Sequence, residues 1–194
     1  MKAMSKLLFK SENPKFLIVR AGNAGDMLMI SPAVRALSRK YPYASILLLT
    51  SSTGKEIFTP DPKINFVFTL KHKHLPHFLS LEKRKIIKRL RELEVDAVLN
   101  FETNPLFSDL LYKASIANRI GWSAGMSIRI PFDEYASYWQ NCLNLLSPLG
   151  IDKPEPYYYV WTSEANDRDM DRWLRHQHIK GPIIGIHPGN SQTG

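Results

Sequence analysis

The sequence predicts an α/β protein, with a mainly parallel sheet covered by helices on both faces. Apolar runs of strand length alternate along the chain with segments of helical periodicity, which is typical of βα units. The runs 16–20, 45–50 and 95–100 are apolar nearly throughout, as expected of strands that are buried on both faces. At residues 16–37 a strand, a glycine-containing turn and a helix follow directly on one another, which favours a Rossmann-like unit.

Each element has its own signal. Strands are predicted at 16–20, 45–50, 65–70, 95–100 and 119–122. Helical periodicity follows Asp26, spans about 77–94, starts again at Pro105, and continues from Tyr135 to Leu149. Proline is favoured as a first helical residue, and Gly150 is predicted to stop the last of these helices. No helix is predicted between 50 and 65.

The composition changes after Gly150. A proline-containing connector leads to Ser163, a predicted N-cap, although the acidic residue after it comes too early for a capping box. A further strand is predicted at 182–186. We therefore expect a basic tail at 1–14, a Rossmann-like domain at 15–150, a connector with a linking helix at 151–180, and the first strand and loop of a truncated second domain at 181–194.

The bulk composition restricts the partners. The formal charge of +8 favours acidic partners such as nucleic acid, anionic lipid or phosphorylated sugar, but no nucleic-acid-binding motif accompanies it. A single cysteine, Cys142, lies on an apolar stripe and is expected in the core. One cysteine, no signal peptide and no apolar run of membrane-spanning length predict a cytoplasmic protein, able to touch an anionic membrane surface from the inside.

The turn after the first strand carries the first candidate site. Asp26 lies in the first helical turn, at the carboxyl end of the strand, where ligands bind in open α/β sheets. It is either a functional carboxylate or a helix cap. Gly22 and Gly25 either let backbone N–H groups approach an anion or serve turn geometry alone. The pattern is not the dinucleotide-binding G-x-G-x-x-G.

Other polar clusters are weaker candidates. Asn100, Glu102 and Asn104 follow the fourth strand, so we expect them near Asp26, either bonding substrate hydroxyls or forming a polar loop. A lysine- and arginine-rich face at 83–91 suits anionic headgroups or plain solvation. Three histidines at 72–77 have ligand-like spacing, but the lysines among them oppose a cation, so no metal site is predicted.

Four sequence features together match the pattern of a known family. The first is Ile18-Val19-Arg20, followed by Gly25-Asp26 and the helix 31–37; the second is Tyr41-Pro42. The third is the run 95–101 that leads to Arg119-Ile120-Gly121-Trp122, and the fourth is Ile184-Gly185-Ile186-His187-Pro188-Gly189. In this order and spacing they resemble the N-terminal half of glycosyltransferase family 9, the ADP-heptose:lipopolysaccharide heptosyltransferases. The resemblance covers nearly the whole chain from Lys15.

The resemblance implies two Rossmann-like domains in the GT-B arrangement, inverting transfer, and no cofactor or catalytic metal. The N-terminal domain binds a lipopolysaccharide core glycolipid, and the C-terminal domain binds a nucleotide sugar such as ADP-heptose. Asp26 matches the proposed general base. In a protein of this kind we expect acceptor contacts from the β-strand ends and turns, at Arg20, Gly22, Asn23, Gly25, Asn100, Glu102 and Asn104. We expect donor contacts from the last loop, at His187, Gly189, Asn190 and Ser191.

Two departures from the family pattern affect these expectations. The turn 21–24 differs from the usual family sequence, and the lysine and acidic residues that hold the donor beyond the His-Pro-Gly turn are absent from the sequence. We expect the chain to supply the acceptor half and to be inactive alone. The alternative interpretations are a non-catalytic module that binds an anionic glycolipid or phosphosugar, and one half of a split enzyme whose donor-binding half is encoded separately.

Overall fold

The computed structural model describes residues 7, 9, 11–71, 75–76, 79–152, 154–179 and 181–186. The chain divides into two compact units, Met1–Trp161 and Thr162–Gly194. The first unit extends beyond the Gly150 limit that composition indicates, because residues after Gly150 bond to the helix that follows the first strand. Tyr159 N–H, for example, donates to Ser31 Oγ at 3.2 Å.

A six-stranded parallel sheet forms the centre of the first unit. Its strands are β1 (Lys15–Arg20), β2 (Ser45–Thr50), β3 (Ile64–Thr69), β4 (Ala97–Asn100), β5 (Asn118–Gly121) and β6 (Ile128–Arg129). Their order in the sheet is β3-β2-β1-β4-β5-β6. This is the strand order of a Rossmann-like fold, with the switch point between β1 and β4. The predicted fold class is confirmed.

Helices cover both faces of this sheet. In the first unit they are α1 (Ala24–Lys40), α2 (Ser52–Phe58), α3 (Leu81–Leu93), α4 (Pro105–Lys113) and α5 (Tyr138–Asn144), with a 3-10 turn at Ser147–Leu149. Successive β1 side chains point to opposite faces. Ile18 packs in one buried cluster with side chains of α1 and α5, and Val19 packs in another with side chains of α3 and α4. Residues 16–19 of β1 are therefore all apolar because both faces of this strand are buried.

Helix α1 contains a proline, and a side chain replaces the backbone hydrogen bond that the proline removes. Pro32 has no N–H, so the carbonyl of Leu28 lacks its usual helical donor. The Ser31 hydroxyl donates to that carbonyl at 2.8 Å instead. Ser31 and Pro32 are both buried, so this local compensation keeps the helix continuous where it packs on the sheet.

The structure corrects several predicted boundaries. Helix α2 was not expected; the Ser51 hydroxyl caps it by accepting from Gly54 N–H at 3.2 Å. The third helix begins at Leu81 rather than near residue 77, because Ser80 is its N-cap. The predicted basic face loses Lys83, which is only 1% exposed and donates through Nζ to the carbonyl of Leu75 at 2.6 Å. The short strand β6 had no alternating pattern long enough to predict it.

The helix predicted at 135–149 is shorter than expected. Helix α5 ends at Asn144, and Gly150, with a left-handed φ of 71°, ends the 3-10 turn that follows rather than the helix itself. Cys142 is fully buried, and burial raises the pKa of its thiol to about 12. The thiol is therefore protonated and belongs to the core, as predicted. Within the predicted basic tail, Leu7 N–H donates to the carbonyl of Pro148 at 2.8 Å.

In the described residues of the second unit, 162–179 and 181–186, helix α6 spans Glu164–His176. Ser163 caps it, as predicted, and a capping box does form, with Asn166 rather than an acidic residue as the reciprocal partner. No strand is assigned among residues 181–186, so the strand predicted at 182–186 is not found in the described part of the chain. A strand needs a neighbouring backbone to pair with, so an apolar composition alone does not make one.

Candidate functional site

The candidate site lies where β1 and β4 end. These neighbouring strands flank the switch point, and the loops after them turn to opposite faces of the sheet, which is where ligands bind in open α/β sheets. Arg20 ends β1, and Asn100 ends β4. Asp26 lies in the first turn of α1, directly after β1. The topology therefore brings together the side chains that the sequence predicts as neighbours.

Asp26 is held by two donors at this position. Its Oδ1 accepts from Nη2 of Arg20 at 2.6 Å, and its Oδ2 accepts from the backbone N–H of Asn23 at 3.0 Å. The Asn23 contact is half of a capping box, so Asp26 does cap its helix. The side chain nevertheless remains 40% exposed. Capping and access to solvent coexist, and the carboxylate faces outward with a fixed orientation.

Arg20 connects Asp26 to the β4 loop. Its Nη1 donates to the carbonyl of Phe101 at 3.0 Å and lies 3.7 Å from Oε1 of Glu102. The Arg20 side chain is only 14% exposed. Burial lowers its pKa, but interactions with Tyr138, Glu102 and Asp26 together raise that pKa above the ordinary value. Arg20 is therefore a permanent cation between two carboxylates.

The β4 loop uses its polar side chains largely for its own structure. Glu102 Oε1 accepts from the backbone N–H of Ala21 at 2.7 Å, which ties this loop to the β1 turn. Asn100 is fully buried and bonds both the N–H and the carbonyl of Glu102. Asn104 is the N-cap of α4 and accepts from Leu106 N–H at 2.9 Å. The substrate contacts expected of these three residues stay predictions, and Asn100 has no exposed surface to offer.

An aromatic group beside Arg20 escaped the sequence analysis. Tyr138, at the start of α5, places its ring 5.2 Å from the Arg20 guanidinium, and its hydroxyl donates to the carbonyl of Phe101 at 3.4 Å. Trp122 packs against the same ring. Burial raises the pKa of Tyr138 far above its ordinary value, and the nearby Arg20 lowers it by less. The apolar periodicity around α5 predicted only that this helix packs on the core. No signal in the neighbouring sequence indicated that its first turn reaches the end of β1.

The two glycines of the turn have different reasons to be glycine. Neither has a positive φ, so a left-handed turn does not require them. A Cβ on Gly22 would lie 2.4 Å from both Cβ and Oδ2 of Asp26, so only glycine admits this side chain. A Cβ on Gly25 would meet nothing within 4 Å. The close packing around Asp26 therefore accounts for Gly22 but not for Gly25.

A matched pair of substitutions tests this difference. We expect Gly22→Ala to lower the free energy of unfolding by about 1–2 kcal/mol, because the new methyl group displaces Asp26 and opens the capping box. Gly25→Ala should leave stability unchanged or raise it by up to about 1 kcal/mol, since alanine is the better helix former. Urea denaturation of both variants measures the two values. Equal changes in the free energy of unfolding would contradict the conclusion that Asp26 packs against Gly22 and not against Gly25.

Other predicted contacts lie outside the described residues. These are the donor contacts His187, Gly189, Asn190 and Ser191, together with the three histidines of 72–77. Among the residues that the structure does describe, no group of three His, Cys, Asp or Glu side chains is arranged to hold a metal ion. Nor is any described helix both long and apolar enough to cross a bilayer.

Comparison with known proteins gives relatives of one kind. No protein-family model matches the chain. Lipopolysaccharide heptosyltransferase 3 of Escherichia coli is 23% identical over 180 residues, which covers 84% of this chain and 51% of the relative. A glycosyl transferase family 9 structure from Veillonella parvula superimposes with a TM-score of 0.77 at 14% identity, covering 89% of this chain and 52% of that one. The resemblance to glycosyltransferase family 9 is confirmed.

The family 9 resemblance is confined to one half of the relatives. The E. coli heptosyltransferase WaaC, solved with ADP, superimposes with a TM-score of 0.58 at 16% identity, covering 73% of this chain and 49% of that chain. The chain spans about half the length of the curated relatives that it matches. The similarity to these solved structures shows a Rossmann-like α/β fold for this chain.

Proposed function

We propose that this chain is the acceptor-binding half of an inverting sugar transferase of the family 9 type. The observation that carries the proposal is the Asp26 carboxylate. It is oriented by two donors, 40% exposed, and set at the carboxyl end of β1 beside the switch point. Sugar transfer to a hydroxyl needs a group that accepts the hydroxyl proton, and an exposed, fixed carboxylate at this place meets the requirement.

Asp26 acts as the general base in this proposal. The acceptor oxygen attacks the anomeric carbon of the donor, the new C–O bond forms on the face opposite the leaving group, and the bond to the diphosphate breaks. The proton of the acceptor hydroxyl passes to Asp26, and the electron pair leaves with the nucleoside diphosphate. Arg20, the Asn23 N–H and the positive end of α1 stabilise the ionised carboxylate. Asp26 is thereby a weak base, so proton transfer comes late, after the attacking oxygen has gained positive charge.

The neighbouring residues have supporting roles in the proposal. Arg20 fixes the orientation of Asp26, and Glu102 keeps the β4 loop beside the turn through its bond to Ala21. Asn23 and Gly25 in the β1 turn and Asn104 after β4 have solvent-accessible surface and are proposed to contact the acceptor, while Gly22 makes room for Asp26. For buried Asn100 we propose a positioning role on the β4 loop.

The substrates are inferred from the relatives. Heptosyltransferase 3 is named for lipopolysaccharide, and WaaC was solved with ADP. We propose a lipopolysaccharide core glycolipid as the acceptor and ADP-heptose as the donor, used at the inner face of the cytoplasmic membrane. The donor contacts would come from a second domain that begins at about residue 181, in the part of the relatives that this chain does not match. Alone, the chain would bind the acceptor without turning it over.

Complementation tests this proposal. The full chain is incubated with acceptor glycolipid and ADP-heptose, with and without a separately expressed donor-binding domain of a family 9 transferase, and the masses of the glycolipid products are measured by mass spectrometry. We expect a mass increase of one heptose only when both halves are present, because the charge that stabilises the leaving diphosphate lies in the other half. Acceptor binding without any product in the mixture would contradict transfer and favour the non-catalytic module.

A further inference from the structure

A groove lined by cations and aromatic rings lies at the other end of α1. It has a volume of about 430 Å³, and we call it the basic aromatic groove: Arg35, Arg39, Lys63, Tyr157, Tyr159 and Trp161 line it. Lys63 directly precedes β3, so the groove lies at the amino edge of the sheet. Arg35 follows Asp26 by nine residues on α1, which is about 13 Å at the rise of an α-helix. All of these residues belong to the first unit, and nothing in the proposed transfer uses them.

Buried hydrogen bonds hold one wall of this groove. The backbone N–H of Tyr159 donates to Oγ of Ser31 at 3.2 Å, and its phenol donates to Oδ2 of Asp61 at 2.7 Å. Ser31 is fully buried, and Asp61 is 2% exposed. Burial and the bond to Asp61 raise the pKa of Tyr159 above its ordinary value, so the phenol remains a donor. The segment that carries the groove's aromatic rings is therefore fixed to the body of the first unit.

The charges at the groove do not cancel. Asp61 is engaged beneath the surface by the Tyr159 phenol and by the backbone N–H of Lys63, which donates to Oδ1 at 2.9 Å. Arg39 Nη1 lies 3.9 Å from Oε2 of Glu155, but both side chains are largely exposed, and such pairs contribute little. Among the described residues, Arg35, Arg39 and Lys63 line the groove and no carboxylate does, although Asp152 and Glu155 line a neighbouring hollow that shares the two arginines. An anion bound in the groove would therefore be stabilised by these positive charges.

The aromatic rings offer a second kind of contact. Tyr157 is 54% exposed and Trp161 is 45% exposed, although both lie beside the first unit's folded core. The Arg35 guanidinium lies 3.9 Å from the centroid of the Tyr157 ring, which holds ring and cation together. Flat, half-exposed rings next to cations suit a ligand that has an apolar face and a negative group, as a phosphorylated sugar does.

We infer that the basic aromatic groove binds a phosphorylated saccharide. Its phosphate oxygens accept hydrogen bonds from Arg39 and Lys63, and the C–H face of its sugar ring stacks on Trp161 or Tyr157. The groove volume lies within the range of small-molecule sites. The inference does not depend on the proposed transfer, because the groove and Asp26 lie at opposite edges of the sheet.

Calorimetric titration of the full chain with glucose 6-phosphate tests the inference, with glucose and inorganic phosphate as separate arms. We expect saturable binding of glucose 6-phosphate, with glucose and phosphate each at least about tenfold weaker, since each makes only one kind of contact. The double variant Arg39→Gln, Lys63→Gln should weaken binding at least about tenfold. Trp161→Ala should weaken glucose 6-phosphate but leave phosphate unchanged.

Matched controls make the test decisive. Lys85→Gln, Lys88→Gln removes the same charge from the exposed face of α3 and should leave binding unchanged. Asp26→Asn should also leave it unchanged, which separates this site from the proposed transferase site. Absence of saturable binding, equal loss in the α3 control, or equal affinity for inorganic phosphate and glucose 6-phosphate would each overturn the inference. Circular dichroism of every variant confirms that it is folded.

Discussion

Replacement of Asp26 by asparagine is expected to lower the rate of heptose transfer by about 10²–10⁴-fold, the usual contribution of a general base. Asparagine has the same shape and still accepts the Asn23 N–H bond, so the turn should keep its structure. It accepts no proton at neutral pH. The rate is measured as heptose-bearing glycolipid formed by the two complementary halves, under single-turnover conditions, so that product release does not mask the chemical step.

The control for this variant is Asp167→Asn. Asp167 also lies in the first turn of a helix, α6, so both variants lose one negative charge at the positive end of a helix dipole. We expect the control to transfer heptose at the rate of the unchanged chain. Retained transfer by Asp26→Asn would remove the base assignment. Acceptor affinity is measured in parallel, and a large loss there would make Asp26 a binding residue instead.

Replacement of Arg20 by methionine is expected to cost about 2–4 kcal/mol of unfolding free energy. Methionine fills much of the same space, but it leaves the carbonyl of Phe101 without its 3.0 Å donor and leaves Glu102, whose side chain is 12% exposed, without its cation. Asp26 loses its 2.6 Å bond as well, although its exposure to water limits that part of the cost. Denaturant unfolding, followed by tryptophan fluorescence, measures the change.

Arg89→Met is the matched control for this stability effect. Arg89 pairs with Glu92 on the exposed face of α3, with Nη1 and Oε2 3.1 Å apart and both side chains about half exposed. Because water screens such a pair, we expect a change below about 1 kcal/mol. If both variants lost the same free energy of unfolding, the large effect at Arg20 could not be attributed to the burial of its hydrogen bonds and ion pairs.

The turn that contains Gly22 shows what the local sequence predicts and what it does not. The pattern of a strand, a turn and a helix at residues 16–37 is local, so the sequence alone placed Asp26 in the first turn of α1 and predicted both β1 and the helix. It did not distinguish the two glycines of the turn. That distinction depends on where the Asp26 side chain packs, 2.4 Å from a Cβ on Gly22, and a side-chain position is not a property of the local sequence.

Three other features depend on contacts between distant parts of the chain, which the sequence analysis did not predict. They concern Tyr138, Lys83 and residues 182–186. Tyr138 reaches Arg20 across 118 positions of the chain, and only the packing of α5 beside β1 and β4 brings them together. Lys83 belonged to a basic face by spacing, but the fold buries it and gives it a backbone acceptor. Residues 182–186 have the composition of a strand, yet a strand exists only where another backbone pairs with it.

The amino-acid sequence by itself determined most of the alternation of strands and helices, the Ser163 cap, the buried state of Cys142, and the placement of Asp26 and the β4 loop at one edge of the sheet. These depend on periodicity and on contacts between residues close in the chain. Only the tertiary structure decided that Arg20 joins Asp26 to Phe101 and Glu102, that Asn100 is sealed inside, and that residues 157–161 fold back over α1 to form the basic aromatic groove. Those features join distant parts of the chain, and their geometry is set by packing, which no local pattern encodes.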